Sequence, residues 1–559
     1  LIIRGIAGDS KVKGAELVVK CLEAHGVEYV FGLPGAKVDG IFNALLDSKI
    51  KLILCRHEQN AAFMAAAYGR LTQKPGVVLV TSGPGVANLA TGLLTATTEG
   101  DPVVAIGGNV SRAMRFKTSH QSANNAKLME AVTKYSVEAM SATNITEILA
   151  MAFKQAVMPR AGSCFISFPQ DVLNEEVADL VISPRAETEI VLACDKTIKN
   201  VAKVIAEAKL PVLFLGEEAS QPQNAKAIRE LLTQTKLATI STYQGAGVVS
   251  RELFPCFAGR VGLFCNQPAD KLLEKADVIL TIGYNPVEYD PEIWNAKADK
   301  LILHMDAVSP EIHYCYQPHY EILGSVAENI LLLKKALAEI KMTGDVKHVQ
   351  QYHEALKDKI AQGKGKTEFP IHPLRFIYEL RQFIDDETLI TCDIGTVYIW
   401  MARYFISYQP HQLMFSNGQQ TLGVGLPWAM AAKLAFPGKK IISISGDGGF
   451  LFSAQELETA VREKLHFVHF VWQDGTYNMV LEQEKMKYNR ISGVNFGEVD
   501  LIHFAQAFGA KGYNLTSPND IVPVLKEAQQ QTMPVLINVP IDYRDNQELF
   551  AAVNSDNIN

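Results

Sequence analysis

Ile441-Ile442-Ser443-Ile444-Ser445-Gly446-Asp447-Gly448-Gly449 is the stretch whose reading decides the fold. Its first five residues are apolar or small and rich in isoleucine, the pattern of a buried strand. The next four, Gly446-Asp447-Gly448-Gly449, read as a turn that almost no side chain obstructs. Ser453-Ala454-Gln455-Glu456 then has the spacing of a capping box, in which the serine accepts from a backbone N–H and the glutamate reaches back. The box is expected to open a helix to about Lys464, followed by a second apolar strand over 467–472 and Asp474 just beyond it. Strand, helix, strand in this span is a βαβ unit with parallel strands. Asp447 and Asp474 therefore both fall at carboxyl ends of parallel strands, on the edge where α/β sheets bind ligands.

Two carboxylates on that edge, beside the unobstructed amides of Gly448 and Gly449, suit a hard divalent cation bridged to a phosphate. Mg²⁺ keeps near-octahedral oxygen coordination and takes only one or two protein carboxylates, leaving the rest to phosphate and water. Glycine amides can face the phosphate oxygens. A lone Gly-Asp-Gly is more often a tight turn whose aspartate caps a helix. Asp474 at the end of the following strand tips the reading to a metal–diphosphate site.

Outward from this unit the chain repeats the same alternation. In the first segment a helix is expected over 14–25, strands over 29–31, 51–55 and 76–80, and helices from about Asn60 and over 86–97. The second of those strands runs into Arg56-His57-Glu58, so Glu58 also lies at a strand's carboxyl end, where a helix N-terminal acid is common. The middle segment alternates strands over 212–215, 238–242, 278–282 and 301–305 with a helix over 224–234. Gly245-Ala246-Gly247 is only a partial dinucleotide motif and reads as a plain turn. Residues 341–368 are polar and charged, the pattern of a solvated linker helix. The expected fold class is α/β, with three doubly wound parallel-sheet domains over 1–182, 190–340 and 371–559, and a linker over 341–370.

Composition narrows the function. The 559 residues are 48% hydrophobic with 39 glycines, which fits a large α/β enzyme with ample core. A net charge of −7 without a long basic run argues against a nucleic-acid partner. No apolar stretch approaches the roughly 20 residues of a membrane helix, and the first residues carry no signal-peptide pattern. Eight cysteines without a Cys-x-x-Cys pair read as thiols in a reducing compartment, so a cytoplasmic location is expected.

The motifs resemble those of a known family. Gly446-Asp447-Gly448 with a second oxygen ligand at Asp474 is similar to the thiamine diphosphate-binding motif, whose second ligand is commonly Asn and whose third is a backbone carbonyl, here Thr476. Gly32-Leu33-Pro34-Gly35-Ala36, Arg56-His57-Glu58 and Thr81-Ser82-Gly83-Pro84-Gly85-Val86-Ala87-Asn88 follow the order of the pyrimidine-binding domain of the same enzymes. Over essentially the whole chain the order pyrimidine, central, diphosphate resembles the acetohydroxyacid synthase and pyruvate oxidase group. His120-Gln121-Ser122, Ser416-Asn417-Gly418-Gln419-Gln420-Thr421-Leu422-Gly423 and Tyr477-Asn478-Met479-Val480 resemble the catabolic, acetoin-forming acetolactate synthases within it.

The resemblance implies thiamine diphosphate and Mg²⁺ as cofactors and pyruvate as substrate, one pyruvate being decarboxylated and joined to a second to give 2-acetolactate and CO₂. It implies that Glu58 hydrogen-bonds and protonates the aminopyrimidine, and that Leu422 wedges the cofactor into a bent form where many relatives carry Met. Ordinary core is the other reading of Leu422. Gln121 is implied near the reacting centre, though it could be a plain loop amide. Gly395, Thr396, Gln420, Gly446, Gly448, Gly449, Tyr477, Asn478 and Met479 are implied to hold the cofactor, and Asp447, Asp474 and Thr476 the metal. Gln483 takes the place of a tryptophan that favours 2-ketobutyrate in biosynthetic relatives. Lys37 could meet a substrate carboxylate, but a solvated lysine is the commoner reading.

Tyr284-Asn285-Pro286-Val287-Glu288-Tyr289-Asp290-Pro291-Glu292-Ile293-Trp294-Asn295 lacks the arginines that accompany flavin in relatives, so no FAD is expected. A homodimer or homotetramer, with the active site at the subunit interface, is also implied. The competing functional readings are a flavin-dependent pyruvate oxidase on the same fold and a non-catalytic nucleotide-binding scaffold.

Overall fold

Runs of β-branched and apolar residues become buried strands throughout the computed structural model, which describes residues 10–115, 117–183, 190–340 and 347–550. The chain divides into two compact units. One comprises the described residues of Leu1–Thr188 with Gly418–Gly438 and Leu451–His466; the other comprises those of Glu189–Asn417, Lys439–Phe450 and Phe467–Asn559.

The first unit is built on a six-stranded parallel sheet, in spatial order Lys51–Leu54, Tyr29–Gly32, Gly76–Val80, Val103–Asn109, Ser163–Pro169, Tyr135–Glu138. A short antiparallel pair, Lys11–Lys13 with Glu176–Ala178, lies beside it. The winding reverses between Tyr29–Gly32 and Gly76–Val80, which makes the loops after these strands the ligand-binding crevice of such a sheet. The helix Glu58–Thr72 crosses this sheet and is buried all round from Asn60 to Arg70. A helix with no polar stripe needs cover on every side. Here Gly425–Ala435, Ala90–Thr98 and the strand Gly76–Val80 supply it.

The second unit carries two six-stranded parallel sheets. The C-terminal one runs Leu413–Met414, Leu389–Cys392, Ile441–Gly446, Val468–Gln473, Val535–Pro540, Lys511–Asn514. Numbered along the chain, this is the same order as in the first unit, 2-1-3-4-6-5. Its crevice lies where Leu389–Cys392 and Ile441–Gly446 end. The central sheet winds differently, in the order Phe257–Val261, Ala238–Thr242, Pro211–Leu215, Val278–Ile282, Leu301–Asp306, Tyr320–Leu323, and reverses between Pro211–Leu215 and Val278–Ile282. Just beyond those two strands Gly216 and Gly283 close on each other, so that a Cβ on Gly216 would sit 2.4 Å from the Gly283 carbonyl oxygen. The buried Glu288 carboxylate lies over the same spot, accepting from Glu217 N (3.2 Å), Asn285 N (2.8 Å) and Thr242 Oγ1 (2.6 Å).

Three expectations need correction. The glycine-rich stretch after Ile441–Gly446 is not a turn, because the helix Asp447–Ser453 begins at once. The capping box does not form: the next helix, Glu456–Arg462, has Gln455 at its N-cap without a side-chain bond, and Ser453 Oγ is buried with no partner. The linker helix, Lys347–Ala361, is not simply solvated, since Val349, Tyr352 and Leu356 are buried. That stripe packs on the edge strand Phe257–Val261 and covers it. Residues 341–346 lie outside the described residues. Gly245-Ala246-Gly247 is a turn, as read.

Candidate active site

The carboxyl edge of the C-terminal sheet gathers a set of hard oxygen donors. Ile441–Gly446 delivers Asp447 as the first residue of its helix, and Val468–Gln473 delivers Asp474 one residue past its end. The Asp447 carboxylate sits on the backbone of the neighbouring loop, accepting from Asp474 N (3.1 Å) and Gly475 N (2.7 Å) through Oδ2. Its Oδ1 accepts from Gly448 N at 2.9 Å, so that amide is engaged by the aspartate itself. Asp474 in turn accepts from Thr476 Oγ1 (2.7 Å) and Asn478 Nδ2 (2.9 Å). The Asn478 side-chain Oδ1 then accepts from Thr396 Oγ1 (3.0 Å) and from Asn546 Nδ2 (2.6 Å).

This cluster is acidic, with Asp447 buried and Asp474 half-buried. Burial, helped by the charge of Asp474, pushes the Asp447 carboxyl up to about 6, and burial raises Asp474 as well. Neither carboxylate forms an ion pair with a Lys, Arg or His among the described residues, so nothing opposes the effect of burial except hydrogen bonds. Among the described residues no group of three or more His, Cys, Asp or Glu could hold a metal ion. The two carboxylates, Asp447 and Asp474, are therefore the donors on offer at this edge. That set fits Mg²⁺ and not a nitrogen- or sulfur-seeking metal.

The glycines here do two jobs. A Cβ on Gly448 would meet the Tyr477 ring at 2.7 Å, and one on Gly449 the Asp393 carboxylate at 3.0 Å, so these two allow close packing. By contrast, nothing lies within 4 Å of the Cβ position at Gly446 or Gly395. Gly395, at φ 125° and the N-cap of Thr396–Tyr404, opens space beside Thr396. The space on that side is open. Tyr477 is partly exposed and packs on Phe496. Met479 and Gln483 are half-buried on the helix Asn478–Tyr488.

In the first unit the crevice loops bring Glu58 and Gln121 to one place. Glu58 is the first residue of its helix, two positions earlier than the sequence suggests. Asn88 Nδ2 donates to Glu58 Oε2 at 2.9 Å, while Oε1 faces Gly85, whose missing Cβ would lie 3.5 Å away. Gln121, in the left-handed region at φ 58°, accepts from Ser82 Oγ at 3.4 Å and rests on Gly83. Lys37 reaches Gln170 Oε1 at 3.4 Å and makes no carboxylate pair with it.

Glu456 is the residue that sequence reasoning misplaced. Its buried carboxylate accepts from the backbone amides of Arg56 (2.9 Å) and His57 (3.1 Å), and from Asn60 Nδ2 (3.1 Å) and Thr459 Oγ1 (2.7 Å). It pins the loop that presents Glu58. Burial raises its carboxyl while these donors oppose the shift.

The segment with Gln420 and Leu422 is held in a similar way along Ala90–Thr98. Gly418 N donates to Glu99 Oε1 (2.7 Å), Gln419 Nε2 to Thr98 Oγ1 (3.0 Å), and the Thr95 and Thr421 hydroxyls bond at 2.8 Å. Glu99 belongs to a buried cluster with Asp101 and Arg70, whose guanidinium lies over the Trp428 ring. Leu422 is only partly buried, which does not fit ordinary core, and Gln420 takes a left-handed φ of 49°. Asn88 stands beside Glu58 in the first unit, and Asp393 and Asn546 stand beside Gly449 and Asn478 in the second. Asn88 stood in a quoted motif, whereas nothing in the local sequence marks Asn546.

Comparison with known proteins gives this geometry a family. The thiamine pyrophosphate enzyme N-terminal TPP binding domain matches residues 12–129, the central domain 198–333 and the C-terminal TPP binding domain 393–539. Three parallel-sheet domains in that order define a thiamine pyrophosphate enzyme. The chain is 50% identical to an acetolactate synthase of Bacillus subtilis, over 96% of this chain and 95% of that one. It is 43% identical to a catabolic acetolactate synthase of Raoultella terrigena over 96% of each, and 32% identical to a probable acetolactate synthase large subunit of Methanococcus aeolicus over 95% and 92%. The chain belongs to the acetolactate synthase family.

Proposed function

We propose that the protein is a catabolic-type acetolactate synthase, joining two pyruvates into 2-acetolactate with loss of CO₂. The observation that carries this reading is the pair of uncompensated carboxylates, Asp447 and Asp474, on adjoining parallel strand ends in a chain similar to acetolactate synthases over almost its full length. Thiamine diphosphate, when bound, supplies the electron sink that decarboxylation of a 2-keto acid requires. Asp447, Asp474 and the Thr476 carbonyl are assigned to Mg²⁺, and Thr396, Gly395 and Asn478 to the diphosphate.

Glu58 is assigned to the pyrimidine end. Asn88 occupies its Oε2, which leaves Oε1 as the atom that holds and returns a proton. Gln121, on the loop before Asn125–Glu130 and packed against Gly83, is assigned to orienting substrate, and Leu422 to pressing on the cofactor from a partly exposed position. Gln483 offers no large apolar face, so pyruvate is assigned as acceptor as well as donor.

Flavin is not required in this reading. The support is Glu288, an anion seated where the central sheet reverses and where a dinucleotide pyrophosphate would need positive charge. The similarity to acetolactate synthases also weighs against the oxidase alternative. All eight cysteines are free and six are buried, which suits the cytoplasmic setting that belongs to the same proposal. Among the described residues no helix is long and apolar enough to cross a membrane.

The test is direct. Purified protein given pyruvate, thiamine diphosphate and Mg²⁺ should release CO₂ and acetolactate, with no peroxide and no flavin absorbance. Omission of either cofactor should abolish turnover. Peroxide formation in place of acetolactate would establish the oxidase instead.

A further inference from the structure

A second cluster of buried charge lies away from the candidate active site, where the central sheet's edge strand meets the helix Thr396–Tyr404. A cavity of about 210 Å³ there is lined by Arg260, Arg403, Lys359, Glu548, Asn266 and Gln267. Arg260, on the strand Phe257–Val261, is buried and spends its guanidinium on the carbonyls of Ala402 (2.8 Å) and Phe405 (2.9 Å) and on Ser407 Oγ (3.2 Å). None of these partners carries charge. Arg403 is 6% exposed, and its Nε and Nη2 have no hydrogen-bond partner. Its guanidinium lies 5.5 Å from the Phe264 ring, and Tyr243 is close to it.

The charges do not balance. Lys359 and Glu548 pair with each other at the rim. Asp270, the other nearby carboxylate, is engaged by Gln267 N (2.8 Å) and Tyr289 Oη (2.7 Å). Even with Asp270 counted, two buried guanidiniums face one interior carboxylate. Burial pulls the Arg260 guanidinium down to about 10, as expected of a cation cut off from water without a carboxylate partner. A buried cation with unsatisfied donors is costly unless an anion or water meets it.

We infer that this cavity is a binding site for a small oxyanion, a phosphate or a short carboxylate, received by the two free nitrogens of Arg403. A planar guanidinium presenting adjacent donors matches an oxyanion in two-point fashion. The volume sets the size class. Pockets for drug-sized ligands run to about 300–1,000 Å³, so this one takes a single small ion and not a nucleotide. The charge that remains fixes the sign of the ligand; the Asn266 and Gln267 amides at the wall already donate to main-chain carbonyls and leave the donor role to Arg403. The site is separate from the donors assigned to the cofactor, so its occupancy would act on stability, or on the seam between the central sheet and Thr396–Tyr404, and not on chemistry directly.

The experiment uses the full chain with thiamine diphosphate and Mg²⁺ present, so that added phosphate does not report on the diphosphate end. Inorganic phosphate and, separately, acetate are titrated by calorimetry at constant ionic strength set with chloride, with thermal midpoints recorded alongside. Saturable binding of one of them is expected, and the tighter of the two identifies the ligand chemistry. Arg403→Met should weaken that binding at least tenfold, and Arg403→Lys, which keeps the charge, should retain part of it. No saturable binding by the parent, equal binding by Arg403→Met, or equal displacement by chloride would each overturn the site. If Arg403→Met fails to fold, the parent titration and the Arg403→Lys comparison still decide the matter.

Discussion

Asp447 accepts three backbone amides and has no cationic partner among the described residues, so its charge is available to a metal and its geometry is fixed before one arrives. Asp447→Asn would turn an amide NH₂ toward at least one of those N–H donors. A hydrogen bond to a charged group is worth about 1.5–3 kcal/mol, so the variant should need roughly 10–100-fold more Mg²⁺ for half-maximal activity. Parent-like Mg²⁺ dependence would remove Asp447 from the metal site. At Glu58 the expected effect lies in rate and not in binding. Glu58→Gln keeps a hydrogen-bonding group beside Asn88 but cannot release or take up a proton, and should lose about 10²–10⁴ in kcat. Its thiamine diphosphate affinity, read from fluorescence quenching, should move little. Substrate choice is argued at Gln483. One methylene is worth about 1–3 kcal/mol in an apolar pocket, so Gln483→Trp should raise the share of acetohydroxybutyrate formed from equal pyruvate and 2-ketobutyrate. An unchanged product ratio would show that Gln483 does not face the acceptor.

At the scale of elements, the strands were the most legible part of the sequence. Parallel strands buried on both faces need unbroken apolar runs, and 76–80, 278–282 and 441–445 announce themselves for that reason. Asp447 and Asp474 were legible too, because strand ends place them on one edge whatever the helices do. Helix starts were not. Gly446-Asp447-Gly448-Gly449 reads as a turn when glycine is taken as a breaker, yet Gly448 and Gly449 are there so that a ring and a carboxylate can approach a helix. Glu456 has capping-box spacing, but its carboxylate goes to amides 400 residues away in sequence, and no local pattern carries that information. The consequence is testable. Glu456→Ala leaves the Arg56 and His57 amides unpaired and should lower both the thermal midpoint and kcat. Glu456→Gln should restore most of the midpoint but less of kcat, since one neutral oxygen holds the Glu58 loop less firmly than a carboxylate. Recovery of the two in step would mean that Glu456 only stabilises the fold.

For the whole molecule, buried ionisable groups set the response to acid. His469 is buried in the C-terminal sheet, with Nε2 2.7 Å from Ser445 Oγ and Nδ1 without a partner. Burial holds its pKa down at about 3. Its folded pKa is below its unfolded one, so this group stabilises the fold above about pH 6.5 and destabilises it progressively as pH falls toward 3. Asp101 and Asp270 act in the opposite direction, with carboxyls raised to about 7 and about 6 by burial. A bare pH–stability curve therefore mixes the two signs. Comparison with His469→Gln isolates one of them: between pH 7 and pH 4.5 the variant should gain about 2–3 kcal/mol relative to the parent, read as a narrowing or inversion of the gap in thermal midpoint. A constant gap would mean that His469 takes up its proton in the native state.

The cover of the helix Glu58–Thr72 has a bearing on how the chain is made. Asn60 meets Glu456 across 396 residues, and Gly425–Ala435 comes from the same distant stretch. Ribosomes add about 5–20 residues per second, so roughly 20–80 s pass between the emergence of this alanine-rich helix and the arrival of its last partners. Throughout that interval the first sheet exists as a nascent domain with one wall missing, its apolar helix open to chaperones or to neighbouring nascent chains. Ribosome-bound chains halted before Gly418 should accordingly be cut by protease within 58–72, and chains extended past His466 and clear of the exit tunnel should resist it.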